Sequence, residues 1–368
     1  MILVTGGAGF IGSHIVDGLL DRGYRVRVLD AFVEQAHQGN PHQLPADVDV
    51  VRGDVRDRAL VNAALDGIDV VFHEAAEVGV GQSMYEIGRY VGANTFGTAA
   101  LLEEIVARRS QIKKLIVASS MSIYGEGAYD CEQCGPAAPP LRPVSQLESR
   151  DWEMRCPGCR ASLRAVATPE TKPLDPASVY AVTKQDQEQL CIIVGRAYGI
   201  PTVALRYFNV YGPRQTLSNP YTGVAAIFSS RLLNGNPPLI FEDGLQSRDF
   251  THVDDIVQAN ILAMDSDAAA FQVINVGTGR ATSIGRIAEL LADGLGIPIE
   301  PEMVGRFREG DIRHCFADIS RARNLLGYEP RVSLEEGIPQ LLEWVREQHA
   351  FDGVERATQE LQSYGLVR

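Results

Sequence analysis

The 368-residue chain is short of positive charge: 34 Lys and Arg stand against 47 Asp and Glu, a net charge of −13. A phosphate backbone or an anionic bilayer wants a basic surface, so neither nucleic acid nor membrane is an expected partner. A small phosphorylated ligand, which needs only a few local cations, stays open. Long apolar runs are missing as well. None approaches the ~18 residues of a membrane span, and strand-like residues begin at Ile2 with no charged leader before them. A cytoplasmic protein is expected. No internal repeat is visible. Cysteine is scarce, with six in all, and in a reducing compartment structural disulfides are not expected. Cys191, in an apolar helical pattern, and Cys315, in a short strand-like run, read as small core residues. The other four form two pairs, 131-CEQC-134 and 156-CPGC-159.

What is present is ordinary in amount, with 45% hydrophobic and 22% charged residues, and the length can bury a large core. Runs 2–5, 24–30, 47–54, 69–76, 113–120 and 201–209 read as strands, with helix-period segments 11–22, 83–109 and 178–198 among them. Such alternation predicts βαβ units and an α/β, doubly wound Rossmann parallel sheet. Residues 127–176, rich in Pro, Cys and Arg and without a sustained period, read as an insert. Gly- and Pro-punctuated segments then predict a smaller C-terminal substrate lobe over 210–350. Residues 253–277 return to the 1–209 domain, and 351–368 form a tail.

In 5-TGGAGFIG-12 the glycines follow a strand and precede a helix, and fit Gly6-x-x-Gly9-x-x-Gly12 as well as Gly7-x-Gly9-x-x-Gly12. Glycine there permits a tight turn and lets backbone N–H groups approach a pyrophosphate. A lone match would suit a plain turn equally, but position adds weight. Asp30 ends the next strand 18 residues after Gly12, where a ribose-binding carboxylate belongs. It would accept the adenosine ribose hydroxyls and repel a 2′-phosphate, favouring NAD over NADP. Gly53, Asp54 and Val55, ending the third strand, would flank adenine; Asp54 could equally cap a helix. Ala75 and Ala76 end the fourth strand, where small residues leave room for the cofactor.

Tyr180 and Lys184 in 179-VYAVTK-184 lie one helical turn apart. An ammonium beside a phenol favours the phenolate, which makes a usable general base for an alcohol proton. Alone the pair would suit a solvated helix face. Ser120, ending a strand in 117-VASSMSIYG-125, adds a hydroxyl at the edge where α/β sheets place ligands.

Taken in order, TGGAGFIGSH, SSMSIYG, YAVTK, RYFNVYGP, SRDFTHVDD and GDIRHCFADISRARNLLGYEP resemble an extended short-chain dehydrogenase/reductase of the NAD-dependent nucleotide-sugar epimerase/dehydratase family. The resemblance spans nearly the whole chain outside 127–176. It implies that Ser120 polarises the sugar, Tyr180 is the acid/base and Lys184 holds the nicotinamide ribose. It implies cofactor contacts from Gly6, Gly9, Phe10, Ile11, Gly12, Asn94 and Tyr207. A nucleotide-diphosphate sugar would be held by Gln82, Ser122, Asn209, Arg248 and Arg313, with surface ion pairing the plain alternative for the arginines. Dehydratases of the family carry Asp-Glu just after the catalytic Ser or Thr, and the related decarboxylases keep the Glu. Here Met121 and Ser122 stand there, neither able to do acid/base work near neutral pH. The resemblance therefore implies 4-epimerisation through a 4-keto sugar. Segments 75–95 and 218–235, with the insert, resemble the branch acting on dTDP-6-deoxy-L-hexoses, with UDP-hexose and UDP-hexuronate epimerases as rivals. A 4-ketosugar reductase and a non-catalytic NAD sensor are the remaining readings. Helices near 94–109 and 178–198 resemble the pair through which family members dimerise.

The spacing C-x2-C…C-x2-C, with 21 residues between the pairs, suits a closed tetrahedral zinc site formed by Cys131, Cys134, Cys156 and Cys159. Two disulfides or four free thiols are the alternatives. The insert looks too polar and Pro-rich for its own apolar core, which favours a structural metal. Lying between Ser120 and Tyr180, it is expected to form a flap at the sugar mouth.

Overall fold

The fold is described from a computed structural model, in which residues 1–37 and 42–368 are described. Seven parallel strands form the central sheet: β1 (Ile2–Thr5), β2 (Val26–Asp30), β3 (Asp49–Arg52), β4 (Val70–His73) and β5 (Lys114–Ser120), then Thr202–Tyr207 and Gln272–Val276. The spatial order is Gln272–Val276, Thr202–Tyr207, β5, β4, β1, β2, β3. The chain leaves β1 toward β2 and β3, then crosses back to β4 on the other side of β1, so the order reverses there. Helices leaving β1 and β4 in opposite directions open a crevice beyond their carboxyl ends, where doubly wound sheets bind ligands.

Both faces of the sheet are covered, which is why its strands read as near-continuous apolar runs. On one face Ile15, Val16 and Leu19 of α1 (Phe10–Leu20) pack with Ile256 and Ala259 of the helix Val253–Asp265. Burying each of the larger side chains is worth about 1.5–3 kcal/mol. On the other face Leu101 and Ile105 meet Cys191 and Ile192 of the helix Val179–Tyr198. Cys191 and Cys315 are both buried core thiols.

The helical period over 83–109 does not give one helix. It breaks into Ile87–Tyr90, a π-helical turn Val91–Phe96 and a helix Gly97–Ala107. The wide turn carries the buried Asn94, whose side chain bonds both backbone groups of Glu77 and the Thr183 hydroxyl. Single-turn π segments of this kind recur at functional sites.

The lobe gathers helices Val224–Leu233, Ile284–Leu295 and Leu334–Arg346 around one apolar cluster that includes Phe228, Leu291 and Leu341. The helix Val354–Ser363 follows and ties the tail to the mouth of the crevice. Tyr364 stacks on Tyr85 at 4.6 Å, and Glu360 accepts from the hydroxyls of both Tyr221 (2.6 Å) and Tyr85 (3.2 Å).

The insert departs from expectation. It forms a three-stranded antiparallel sheet, Gly135–Ala137, Ala128–Cys131 and Arg164–Val166, over an apolar cluster of Tyr129, Cys131, Met154, Cys156 and Leu163. Two of those five residues belong to the four-cysteine set, so the core and the candidate metal site are one unit. Among the described residues none of 127–176 lines the crevice, but Leu174 packs against the cluster of Met121 and Phe208, which do. The insert is riveted to the lobe by the buried ion pair Arg142–Glu242 at 2.7 Å and by Arg313–Glu153 at 2.5 Å, whose carboxylate is half-exposed.

Candidate active site

β1 ends at Thr5, and Gly6 turns the chain at φ +69°, where a Cβ would lie 2.9 Å from the Cα of Ala75 at the end of β4. A Cβ on Gly12 would overlap the Gly6 carbonyl oxygen. Only glycine lets the turn hug β4 and lets α1 start directly against it, presenting unpaired N–H groups. Asp30 secures the turn: its carboxylate accepts from Ala8 N at 3.0 Å and from Phe32 N at 2.8 Å. Asp54 is gripped by Arg56 Nε (3.0 Å) and Nη2 (2.7 Å), which holds its carboxyl below the usual range. It caps no helix. Asp57 does that, accepting from Ala59 N and Leu60 N.

These residues open one end of a cleft of about 490 Å³, a volume typical of small-molecule sites. Gly9, Phe10, Ile11 and Val55 line it beside the turn, Ala75 and Ala76 lie along it, and Ser120, Tyr180, Lys184 and Tyr207 line it too. Ser120 ends β5 and caps the turn Met121–Tyr124; its Oγ accepts from Ser122 N (3.2 Å) and from Ser122 Oγ (2.9 Å). Tyr180 stands in the first turn of its helix. Its N–H donates to Ser83 Oγ at 2.9 Å, and Tyr90 packs edge-on against its ring at 6.5 Å. Lys184 is buried, and its ammonium donates to Gln187 Oε1 at 2.8 Å.

The electrostatics differ from the sequence expectation. Burial pushes the Tyr180 phenol up from its ordinary value, and the Ser120 hydroxyl draws it down. Burial lowers Lys184 itself to about 8, against the opposing pull of Glu74.

Four residues expected in the site lie off the cleft surface. Asn94 supports the backbone at Glu77, as described. Gln82 accepts from Tyr90 Oη at 3.0 Å and bonds Gln35. Arg248 spends its guanidinium on the carbonyls of Ser247, Ile312 and Arg313. Arg313, with no exposed surface, is enclosed by Glu153, Glu242 and Asp243. Asn209 does line the cleft, and its Oδ1 is buried without a hydrogen-bond partner among the described residues.

Sequence reasoning passed over Gln215, whose buried Oε1 likewise lacks a partner beside the cleft, and Tyr221, the residue joined to the tail. It also passed over Glu74 at the end of β4. The signal for Glu74 was available: a carboxylate closing the apolar run DVVFHEAA is out of place unless something faces it.

A reversed parallel sheet, a glycine turn against the end of β4, an acidic end to β2 and a serine–tyrosine–lysine set across one cleft define an extended short-chain dehydrogenase/reductase. A family model described as NAD dependent epimerase/dehydratase family matches residues 2–146 and 162–277, and the chain belongs to that family. It is 36% identical over 351 residues to a dTDP-L-rhamnose 4-epimerase from Burkholderia thailandensis, covering 94% of this chain and 95% of the relative. A UDP-glucose 4-epimerase from Thermotoga maritima, solved with UDP-glucose, superposes with a TM-score of 0.76 at 34% identity, over 94% of this chain and 98% of the other. A UDP-glucuronic acid 4-epimerase from Bacillus cereus, solved with UDP-glucuronic acid and NAD, gives 0.75 at 30%, over 95% and 99%. No helix among the described residues is long and apolar enough to cross a membrane.

Proposed function

We propose that this enzyme is an NAD-dependent nucleotide-sugar 4-epimerase acting on a dTDP-6-deoxy-L-hexose, interconverting the dTDP-L-rhamnose and dTDP-6-deoxy-L-talose configurations. One observation carries the reaction type: Ser120 and Tyr180 line the same cleft, while the two positions after Ser120 hold no acid. Met121 is buried in an apolar cluster with Tyr124 and Phe208, and the Ser122 hydroxyl is spent on Ser120. Protonation around C5 and C6, which dehydration needs, has no group at those positions. The glycine cradle that a Cβ would fill, with Asp30 behind it, fits NAD. When bound, NAD supplies the hydride acceptor and donor. Tyr180 takes the proton of the C4 hydroxyl and returns it. Ser120, oriented by Ser122, holds the C4 oxygen, and Lys184 fixes the ribose. Asn209 Oδ1 and Gln215 Oε1 are acceptors available to sugar or nucleotide hydroxyls and N–H groups.

The deoxy-sugar reading is supported by the Burkholderia relative and by apolar cleft residues Val78, Val80, Met121 and Phe208. Incubation with dTDP- and UDP-sugars, without added NADH and followed by NMR, tests it. Epimerisation of a dTDP-6-deoxy-L-hexose is expected. Turnover of UDP-sugars alone would move the substrate, and a stoichiometric need for NADH would move the class to reductase.

Two further features belong to this reading. The four cysteine sulfurs lie within 4.8 Å of one another, and a tetrahedral zinc–thiolate site sets them about 3.8 Å apart, given Zn–S near 2.3 Å. Backbone N–H groups of Cys159 and Gly158 lower Cys156 to about 6, while hydrogen bonding with the Cys159 and Cys156 side chains raises Cys134 to about 12. A divalent cation would reconcile the set; a structural zinc would be held by all four and supply no chemistry. Exposed apolar side chains on the expected dimer helices, Phe96, Val182 and Ile193 at 57%, 45% and 61%, suit a homodimer. Native mass spectrometry reads both features at once. Two chains with about one zinc each are expected, and Cys156→Ser should release the metal. A metal-free monomer would remove both.

A further inference from the structure

Four carboxylates line the cleft: Asp30, Asp54, Glu74 and Glu77. Three are matched locally. Asp30 takes two backbone N–H groups, Asp54 takes Arg56, and Glu77 takes Arg89 at 2.7 Å. Glu74 is different. Among the described residues its one hydrogen-bond donor is the Tyr207 phenol, at 3.0 Å, itself held by Asn260. Lys184 lines the same cleft and is linked to the backbone next to Glu74 through Gln187. Gln187 accepts from the ammonium at 2.8 Å and donates to the Ala75 carbonyl at 3.3 Å. Glu74 closes β4 beside the glycine turn, and its carboxylate reaches Tyr207, the sheet neighbour of Ser120, so it is turned toward the Ser120 end of the cleft that Lys184 also lines.

We propose that Glu74 is a positioning residue that balances the Lys184 ammonium and, with NAD bound, favours the cationic oxidised nicotinamide over its neutral reduced form. The inference rests on reading the cleft as an NAD site. Charge supplies the reason. Oxidised nicotinamide carries a positive ring and reduced nicotinamide carries none, so a carboxylate in a cleft of low polarity discriminates between them. Lys184 alone at that end would do the opposite, repelling the oxidised ring. The two charges pull on each other: burial raises Glu74 to about 7 against the pull of Lys184, and Glu74 opposes the fall that burial imposes on Lys184. The consequence suits an epimerase. A destabilised reduced cofactor is a better hydride donor to the 4-keto sugar, so the hydride is returned rather than stranded and the oxidised form is restored in every cycle.

The test is the ratio of dissociation constants for NAD+ and NADH, measured by titrating cofactor-stripped protein and following NADH fluorescence. Glu74→Gln keeps the shape and the Tyr207 contact but removes the charge. It is expected to weaken NAD+ about tenfold relative to NADH, the change equal to ~1.4 kcal/mol. Glu74→Asp keeps the charge one methylene further back and should fall between; it reads the same ratio where the amide does not fold. A merely structural role would move both constants together and overturn the proposal, as would a ratio unchanged in both variants. Failure of the unaltered chain to bind either dinucleotide would instead sink the NAD reading, and this inference with it.

Discussion

Tyr180→Phe is expected to slow epimerisation by roughly 10²–10⁴, the usual worth of a positioned acid/base, while NAD stays bound. The substitution removes one oxygen from a ring whose placement does not depend on it. Tyr180 is held through its backbone N–H on Ser83 Oγ and through the edge of Tyr90 against its ring, and phenylalanine keeps both. What it loses is the group that takes the C4 hydroxyl proton opposite Ser120. The loss should therefore fall on kcat, with KM for the nucleotide sugar little moved, the pattern of an interaction made mainly in the transition state. The structure also sharpens what Lys184 does. Its ammonium donates to Gln187, and Glu74 opposes the fall that burial imposes on it. Lys184→Ala should then weaken cofactor retention as well as rate, so the two variants separate by how much NAD each retains. Turnover in Tyr180→Phe like that of the unaltered enzyme would end the assignment of the base.

The parts of the site legible in the sequence are those written in local backbone. A strand, four glycines and a helix within a dozen residues specify the turn at Gly6, because the steric demand falls on the glycines themselves. Asp30 could be placed because a strand end fixes where its carboxylate lies. Ser120 and Tyr180 could be paired across an insert because each sits at a defined edge of a regular element. The unreadable parts depend on partners far away in the chain. Glu153 meets Arg313 across 160 residues, and nothing in the spacing of either announces the other. An arginine near the lobe looks the same in sequence whether it grips a diphosphate or three carboxylates. The core of the insert was hidden for a similar reason. Its five buried residues are dispersed among prolines and charges, and two are cysteines that read first as ligands.

Arg313 gives the other large effect, and it separates those two roles. The guanidinium donates to Glu242 (3.0 Å), to Asp243 (2.7 and 2.9 Å) and to Glu153 (3.1 and 2.5 Å). Its backbone N–H meets Glu126 at 2.6 Å. Glu242 is also gripped by Arg142 of the insert, at 2.7 and 2.9 Å, so one buried cluster rivets insert to lobe. Arg313→Met fills much the same volume but leaves three carboxylates facing a single remaining arginine. Breaking a buried pair from one side costs about 3–5 kcal/mol. The lower end is expected here, because Glu153 and Asp243 keep 45% and 31% of their side-chain surface and can turn to water. The loss should be local. Hydrogen exchange and trypsin cleavage should increase within 127–176, and thermal unfolding should shift downward. The central sheet and NAD binding should persist, since neither touches the cluster. Kinetics decide the role. If Arg313 is a rivet, the folded variant keeps its KM for the nucleotide sugar below the melting transition. If it grips the diphosphate, KM rises steeply while stability and protection of the insert stay as they were, and the ion-pair cluster would then be incidental to what this arginine does.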